Sequence, residues 1–282
     1  MNEWYRNWQN PRHAAQFDGR AQLDLRSLIR NYESFNDVQL LTERLDRTQA
    51  VDLLEVGCAT GEFRRYLAAR FPRVRYTGVD VSEPAIARAQ SKYPGASFHV
   101  VPSDKRLAEG LQAIGLDIRP ELIYSKDVIQ HQVQPFAFVS GLLEVATEAV
   151  VLRGRTRDVG ASVLDPAWSC QFYEGDWLPY LVLNLQELLD RITAQVPGCE
   201  VLVWRHHMVL GGQHGRFVPK ELYHPETGTA ETAIGIFKKT DRPGRVDICD
   251  RAELIQSRTW PSRIRHAARE AAGMLQARGA TS

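Results

Sequence analysis

From residue 51 onward, short apolar runs alternate with segments whose apolar positions recur at helical spacing. VDLLEV, residues 51–56, predicts a strand. Residues 61–71 predict a helix with Phe63, Leu67 and Phe71 on one face, stopped by Pro72. RYTGVDV predicts the second strand, and Ser82 is a good N-cap for a helix through EPAIARAQSKY, with Pro84 in its first turn. ASFHVV, LIYSKD and AVVLRGR predict three more strands, with a helix over about 136–147 before the last. Strands alternating with helices form βαβ units, so the sheet should be mostly parallel and covered on both faces. Right-handed crossovers make it doubly wound, with ligands at the carboxyl ends of the strands.

Residues 1–50 predict a helical cap, with Leu25, Leu28, Ile29, Leu41 and Leu45 at helical spacing. Trp4, Tyr5 and Trp8 either pack onto the main domain or close over a ligand. After residue 155 the rhythm breaks, and 155–183 reads as an aromatic lid insertion at the active edge. A helix resumes at Asn184 with a capping box to Glu187; Leu185, Leu188, Leu189 and Ile192 face inward. CEVLVWRHHMVL and TAIGIFKKT predict two strands joined by the polar loop 211–230, an antiparallel pair at the sheet edge. Residues 261–278 predict an amphipathic helix, its stripe running through Ile264, Ala267, Ala268, Ala271 and Leu275. The expected division is a cap over 1–50, a ligand-binding domain over 51–240 and a helical extension over 241–282. A homodimer contact is one use for the last helix.

The 282 residues are 44% hydrophobic, enough for a sizeable core. The net charge of +1 gives no reason to expect nucleic acid or an anionic membrane as partner. No apolar stretch is long enough to span a bilayer, and the first residues lack the apolar core of a signal peptide. The 4 cysteines are dispersed without a C-x-x-C pair, so a cytoplasmic, reduced protein with no structural zinc is the expectation. His206, His207, His214, Glu221 and His224 follow no metal-ligand spacing, and no metal is expected.

The first turn carries the chemistry. Its pattern is Gly57-x-Ala59-x-Gly61, and Glu62 stands where a dinucleotide fingerprint needs a third glycine. Glu55, just before the turn, suits a cationic amino group better than a pyrophosphate, which a carboxylate repels. Asp80 ends the second strand, where an acid accepts ribose hydroxyls.

With these residues the sequence resembles class I S-adenosylmethionine-dependent methyltransferases of the small-molecule type. EVGCATG resembles the family's first motif, GVDVS its second, and ELIYSKDVIQHQ its fourth; Ala59 replaces a middle glycine. The resemblance is good over roughly 50–155 and holds in outline over 184–238. It implies a Rossmann-like methyltransferase fold of seven strands, mostly parallel with a reversed last strand, and S-adenosyl-L-methionine as cofactor. It also implies cofactor contacts from Glu55, Gly57, Cys58, Ala59, Gly61, Asp80 and Val81, from Ser103 or Asp104 toward the adenine, and from Lys126. The base-methylating N/D-P-P-Y form is absent, which argues against an exocyclic amine of a nucleobase as acceptor.

Methyl transfer from a sulfonium requires alignment above all, and a general base where the acceptor is a hydroxyl. His131, a few residues past the fourth strand, is the candidate base; Asp127 either pairs with it or contacts the cofactor. Trp168, Phe172, Tyr173 and Trp177 of the insertion, with His207, are candidate substrate contacts. Arg153, Arg155 and Arg157 alternate onto one face of the fifth strand, where Arg153 is a candidate for an acceptor carboxylate or phosphate; a solvated edge is the other reading. The expected activity is O-methyl transfer to a hydroxyl of a sugar, glycan end or secondary metabolite. The alternatives are a protein or RNA methyltransferase and a non-catalytic regulatory subunit that binds the cofactor.

Overall fold

The computed structural model describes residues 3–20, 22–45, 48–208, 210, 229–238 and 244–250. Helices α1 (Glu3–Arg6), α2 (Pro11–Gln16), α3 (Leu25–Glu33) and α4 (Asn36–Thr42) precede the sheet. Then come β1 (Val51–Val56), α5 (Glu62–Arg70), β2 (Val74–Asp80), α6 (Glu83–Lys92), β3 (Ser97–Val100), α7 (Leu107–Ala113), β4 (Leu122–Lys126), α8 (Pro135–Val145) and β5 (Ala149–Arg157). A hairpin of β6 (Cys170–Tyr173) and β7 (Asp176–Pro179) follows, then β8 (Leu183–Asn184), α9 (Leu185–Gln195), β9 (Glu200–His207), β10 (Thr229–Phe237) and β11 (Arg245–Asp250).

The main sheet runs β11-β9-β10-β5-β4-β1-β2-β3, with β8 paired to β5. The doubly wound parallel core is present: β1 pairs with β2 and β4, and β4 with β5, all parallel. The reversed strand is β10, antiparallel to both β5 and β9. Two expectations change here. The late antiparallel pair does not form the sheet edge, because β10 inserts beside β5 and the edge is taken by β11, parallel to β9. Residues 245–250, expected in a helical extension, are that edge strand; the helix expected over 261–278 lies outside the described residues.

Each face of the sheet buries its own core. Leu54, Val56, Ile123, Val150 and Leu152 face α8 and α9, and alternate positions Leu53, Tyr124 and Val151 pack with Phe63, Tyr66 and Leu67 of α5 and with α3 and α4. Local signals set the helix starts: Asp24 accepts from the Ser27 amide at 2.9 Å, and Ser82 caps α6. Asn184 caps α9 through the Glu187 amide at 3.0 Å, but the reciprocal half of the expected capping box is absent. Glu187 instead accepts from the Ser162 hydroxyl at 2.6 Å, tying the insertion to α9.

Candidate active site

Glu55 ends up beside the first turn because β1 delivers it there. The turn is built on positive φ angles at Gly57 (83°), Ala59 (47°) and Gly61 (81°). A Cβ on Gly57 would stand 2.2 Å from Val128 Cγ2, so only glycine fits between the turn and the segment after β4. The Gly57 and Cys58 amides both donate to the Val79 carbonyl, at 2.8 and 3.1 Å, which pins the turn to the end of β2. Asp80 completes the joint: Oδ2 accepts from the Ala59 amide and Oδ1 from the Ser82 amide, each at 2.9 Å. Burial raises the Asp80 carboxyl above its ordinary value, and these amides pull the other way. Glu55 is buried and accepts from the Tyr76 hydroxyl. Burial pushes the Cys58 thiol well up, and the nearby Asp80 and Glu55 charges add to this, so Cys58 is a packing residue.

This cradle fits a nucleoside. A carboxylate offers about four lone-pair sites, so Asp80 can take ribose hydroxyls beyond its two amides. No side chain caps α5, whose first turn opens onto the cradle, and the Thr60 hydroxyl is buried there with no protein partner. Ser103 and Asp104 lie on the loop after β3, half-buried and exposed respectively. Val81 packs against the core and offers its carbonyl to Gln9 Nε2 at 2.7 Å. Lys126 departs from expectation: its ammonium sits 3.2 Å from the centre of the Phe35 ring, on the side of the N-terminal helices.

His131 is buried at the carboxyl edge in a short 3-10 turn, Ile129–His131. Its Nδ1 lies 2.6 Å from the Pro179 carbonyl, an acceptor only, so Nδ1 carries a proton, and in the neutral imidazole the lone pair is on Nε2. Trp8 packs edge-on against the ring at 5.1 Å, and Tyr180 lies 6.0 Å away. Of the two roles open to Asp127, the pair with His131 Nδ1 is not made; the orienting group is the Pro179 carbonyl. Asp127, at φ 57°, instead joins Arg153 and Arg155. Burial alone would raise its carboxyl, but the two guanidiniums outweigh burial and hold it far below the usual range.

Arg153 is corrected as well. It is neither on a solvated edge nor open to a substrate anion, being buried against Asp37 (3.3 Å), Glu231 (2.9 Å) and Asp127. Arg155 pairs with Asp127 and Glu231 at 3.2 and 3.3 Å, and its Nε donates to the Tyr180 hydroxyl at 3.1 Å. Opposite charges and a hydroxyl from four elements thus fill the face that the sequence leaves bare.

Two chain segments roof the edge. The N-terminal strap, residues 3–20, bonds to the tip of β2 through Ser82 Oγ to the Trp8 carbonyl (2.7 Å) and the Glu83 amide to Gln9 Oε1 (3.1 Å). It meets the hairpin through Asn7 to the Trp177 carbonyl and Asn10 to Asp176, both 2.7 Å, and through His13 to the Tyr173 carbonyl at 3.1 Å. Tyr5 donates to Gln132 at 3.1 Å. Of the early aromatics, Tyr5 and Trp8 thus pack onto the main domain at its carboxyl edge. In the hairpin, Phe172 and Trp177 pair across the strands on the face opposite Gln171 and Leu178, and the latter two are buried. Trp168 and Trp177 are exposed and Tyr173 packs on His13, so the inward side chains are Gln171 and Leu178, for which the sequence carries no motif. His207, at the end of β9, contacts the Thr229 carbonyl (3.1 Å) and Asp250 (3.4 Å). Among the described residues no group of three potential metal ligands comes together; His214, Glu221 and His224 lie outside them.

Residues 54–148, from the end of β1 through α8, match the family described as "Methyltransferase domain". That stretch is similar to the class I S-adenosylmethionine-dependent methyltransferases. Trans-aconitate 2-methyltransferase of Variovorax paradoxus is 30% identical over 106 residues, covering 37% of this chain and 38% of that protein. Malonyl-[acyl-carrier protein] O-methyltransferase of Bacillus cereus is 34% identical over 80 residues, 27% of this chain and 30% of that one. The matches therefore span well under half the length of these relatives. Among solved structures, magnesium protoporphyrin IX methyltransferase from Synechocystis PCC 6803 aligns over 83% of this chain and 95% of that one, at 12% identity and TM-score 0.48. A plantazolicin methyltransferase aligns over 84% and 95%, at 16% identity and TM-score 0.48. The cofactor of the methyltransferase family is S-adenosylmethionine, for which the nucleoside cradle is suited. Among the described residues no helix is long and apolar enough to cross a membrane.

Proposed function

We propose that the protein transfers a methyl group from S-adenosylmethionine to a hydroxyl of a small molecule, in the class of sugars, glycan ends and secondary metabolites. The observation that carries the reading is His131, with Nδ1 tied to Pro179, at the same edge as the Asp80 cradle. S-adenosylmethionine supplies, when bound, a methyl group already activated on a sulfonium. Asp80 accepts the ribose hydroxyls and Glu55 faces the amino group. His131 Nε2, in the neutral imidazole, would accept the proton of the acceptor hydroxyl. The strap and hairpin exclude water, which strengthens these contacts.

Calorimetry with S-adenosylmethionine and S-adenosylhomocysteine tests the cofactor, and Asp80→Ala should weaken both by about 10- to 100-fold. Transfer of labelled methyl to a panel of hydroxylated acceptors tests the reaction, and His131→Asn should lower kcat by about 100-fold or more. Failure to bind either nucleoside sinks the reading outright. Unaltered turnover in His131→Asn removes the base and leaves the cofactor assignment standing.

A further inference from the structure

Two amides beneath the roof have no protein partner for their oxygens. Gln130 and Gln171 are each 2% exposed, and each buries an Oε1 without a hydrogen bond. Neither is a stray core residue. Gln130 directly precedes His131, and its carbonyl accepts from the Leu181 amide at 2.7 Å, just past the Pro179 that orients the histidine. Gln171 is on the inward face of the hairpin whose last residue is that same Pro179. A buried amide oxygen without a partner is destabilising, and a hydrogen-bonding ligand at this edge would remove that cost.

The charge balance narrows the ligand. The cations nearest this edge are Lys126, Arg153 and Arg155; the carboxylates already set against the two arginines are Asp37, Asp127 and Glu231. The cluster is formally neutral, and His131 Nδ1 donates to the Pro179 carbonyl. A carboxylate or phosphate buried here would meet no uncompensated cation of the protein, and an unpaired buried charge is far more costly than a buried hydroxyl. Hydroxyls both donate and accept, as an amide requires of its partner.

We infer that Gln130 and Gln171 form the hydrogen-bonding face of the acceptor subsite, and that the acceptor is an uncharged, hydroxyl-bearing molecule. This rests on the methyltransferase reading above. The test uses the full chain saturated with S-adenosylmethionine and matched acceptor pairs: methyl glucoside against methyl glucuronoside, and catechol against protocatechuate. The neutral member of at least one pair should be methylated with a kcat/KM about 10-fold higher or more. Gln130→Leu and Gln171→Leu should each raise the acceptor KM about 10-fold and leave cofactor Kd unchanged. Each should also raise the melting temperature, because leucine removes an unsatisfied polar group. A purely structural glutamine predicts the reverse, with a lower melting temperature and an unmoved KM. Gln171→Asn serves as a second variant, keeping the amide and recovering part of the affinity. Preference for the carboxylated member, cofactor binding with no neutral acceptor used, or unmoved KM in both leucine variants overturns the inference. Absence of cofactor binding overturns the earlier reading instead.

Discussion

Replacing Arg153 with methionine probes the buried ion cluster, and the structure sets the size of the effect. Arg155 stays to serve Asp127 and Glu231, at 3.2 and 3.3 Å. Asp127 is also 31% exposed and can hydrate. Asp37 is 0% exposed, so after the substitution it keeps the Tyr124 hydroxyl and loses its cation. Leaving one buried charge uncompensated costs about 3–5 kcal/mol. Urea denaturation of Arg153→Met should therefore show a loss of about 3–5 kcal/mol. Asp37→Asn in the same background should restore most of it. A loss below about 1 kcal/mol refutes the cluster as described. Unchanged stability with a higher KM for an anionic acceptor would return Arg153 to substrate binding.

Gly57→Ala places a Cβ 2.2 Å from Val128 Cγ2 at φ 83°, so it should destabilise the fold by several kcal/mol and abolish cofactor binding, read by melting and calorimetry. Cofactor affinity should weaken on acidification, starting above the pH of about 4 where a free aspartate titrates, because burial raises the Asp80 carboxyl and the ribose contacts need its charged form; Asp80→Asn should flatten that profile. For Asp127 the sign is opposite. Its folded value is depressed, so its stabilisation is full above the unfolded value of about 4 and is lost only as pH falls toward the much lower folded value; acid titration of Asp127→Asn should lack that part of the loss. Asn10→Ala removes both the cap of α2, at 3.0 Å to the Arg12 amide, and the bond to Asp176, and amide exchange over residues 3–20 should quicken by about 5- to 30-fold with global stability little changed.

The parts of the site that the sequence discloses are those built from neighbours along the chain. The first turn, Asp80 and the histidine after β4 follow from strand ends and short spacings, and the alternation of strands and helices places them at one edge. The ion cluster is different. Arginines at every second position of β5 look like a wet face, because a period of two reports sidedness and not what covers the side. The cover is Asp37, 116 positions before Arg153, and Glu231, 78 positions after it. Lys126 misleads for the same reason, its partner rings coming from α3 and the turn that leads into α4. Gln130 and Gln171 carry no pattern at all, and become visible only when burial and hydrogen bonding are read together. In the insertion the conspicuous tryptophans are exposed, while the inward face holds a glutamine and a leucine.

The clasp between strap and hairpin also bears on how the protein is made. Its bonds join residues 160 to 170 positions apart, with the strap leaving the ribosome first. At a synthesis rate of about 5–20 residues per second, the strap waits roughly 10–30 s for its partner strands to be translated. The nucleoside cradle, made of local contacts, can form during that interval. The reaction chamber is therefore among the last features to be assembled on the nascent chain, and slowing translation between residues 20 and 170 lengthens the exposure of Trp4, Tyr5 and Trp8 to chaperones.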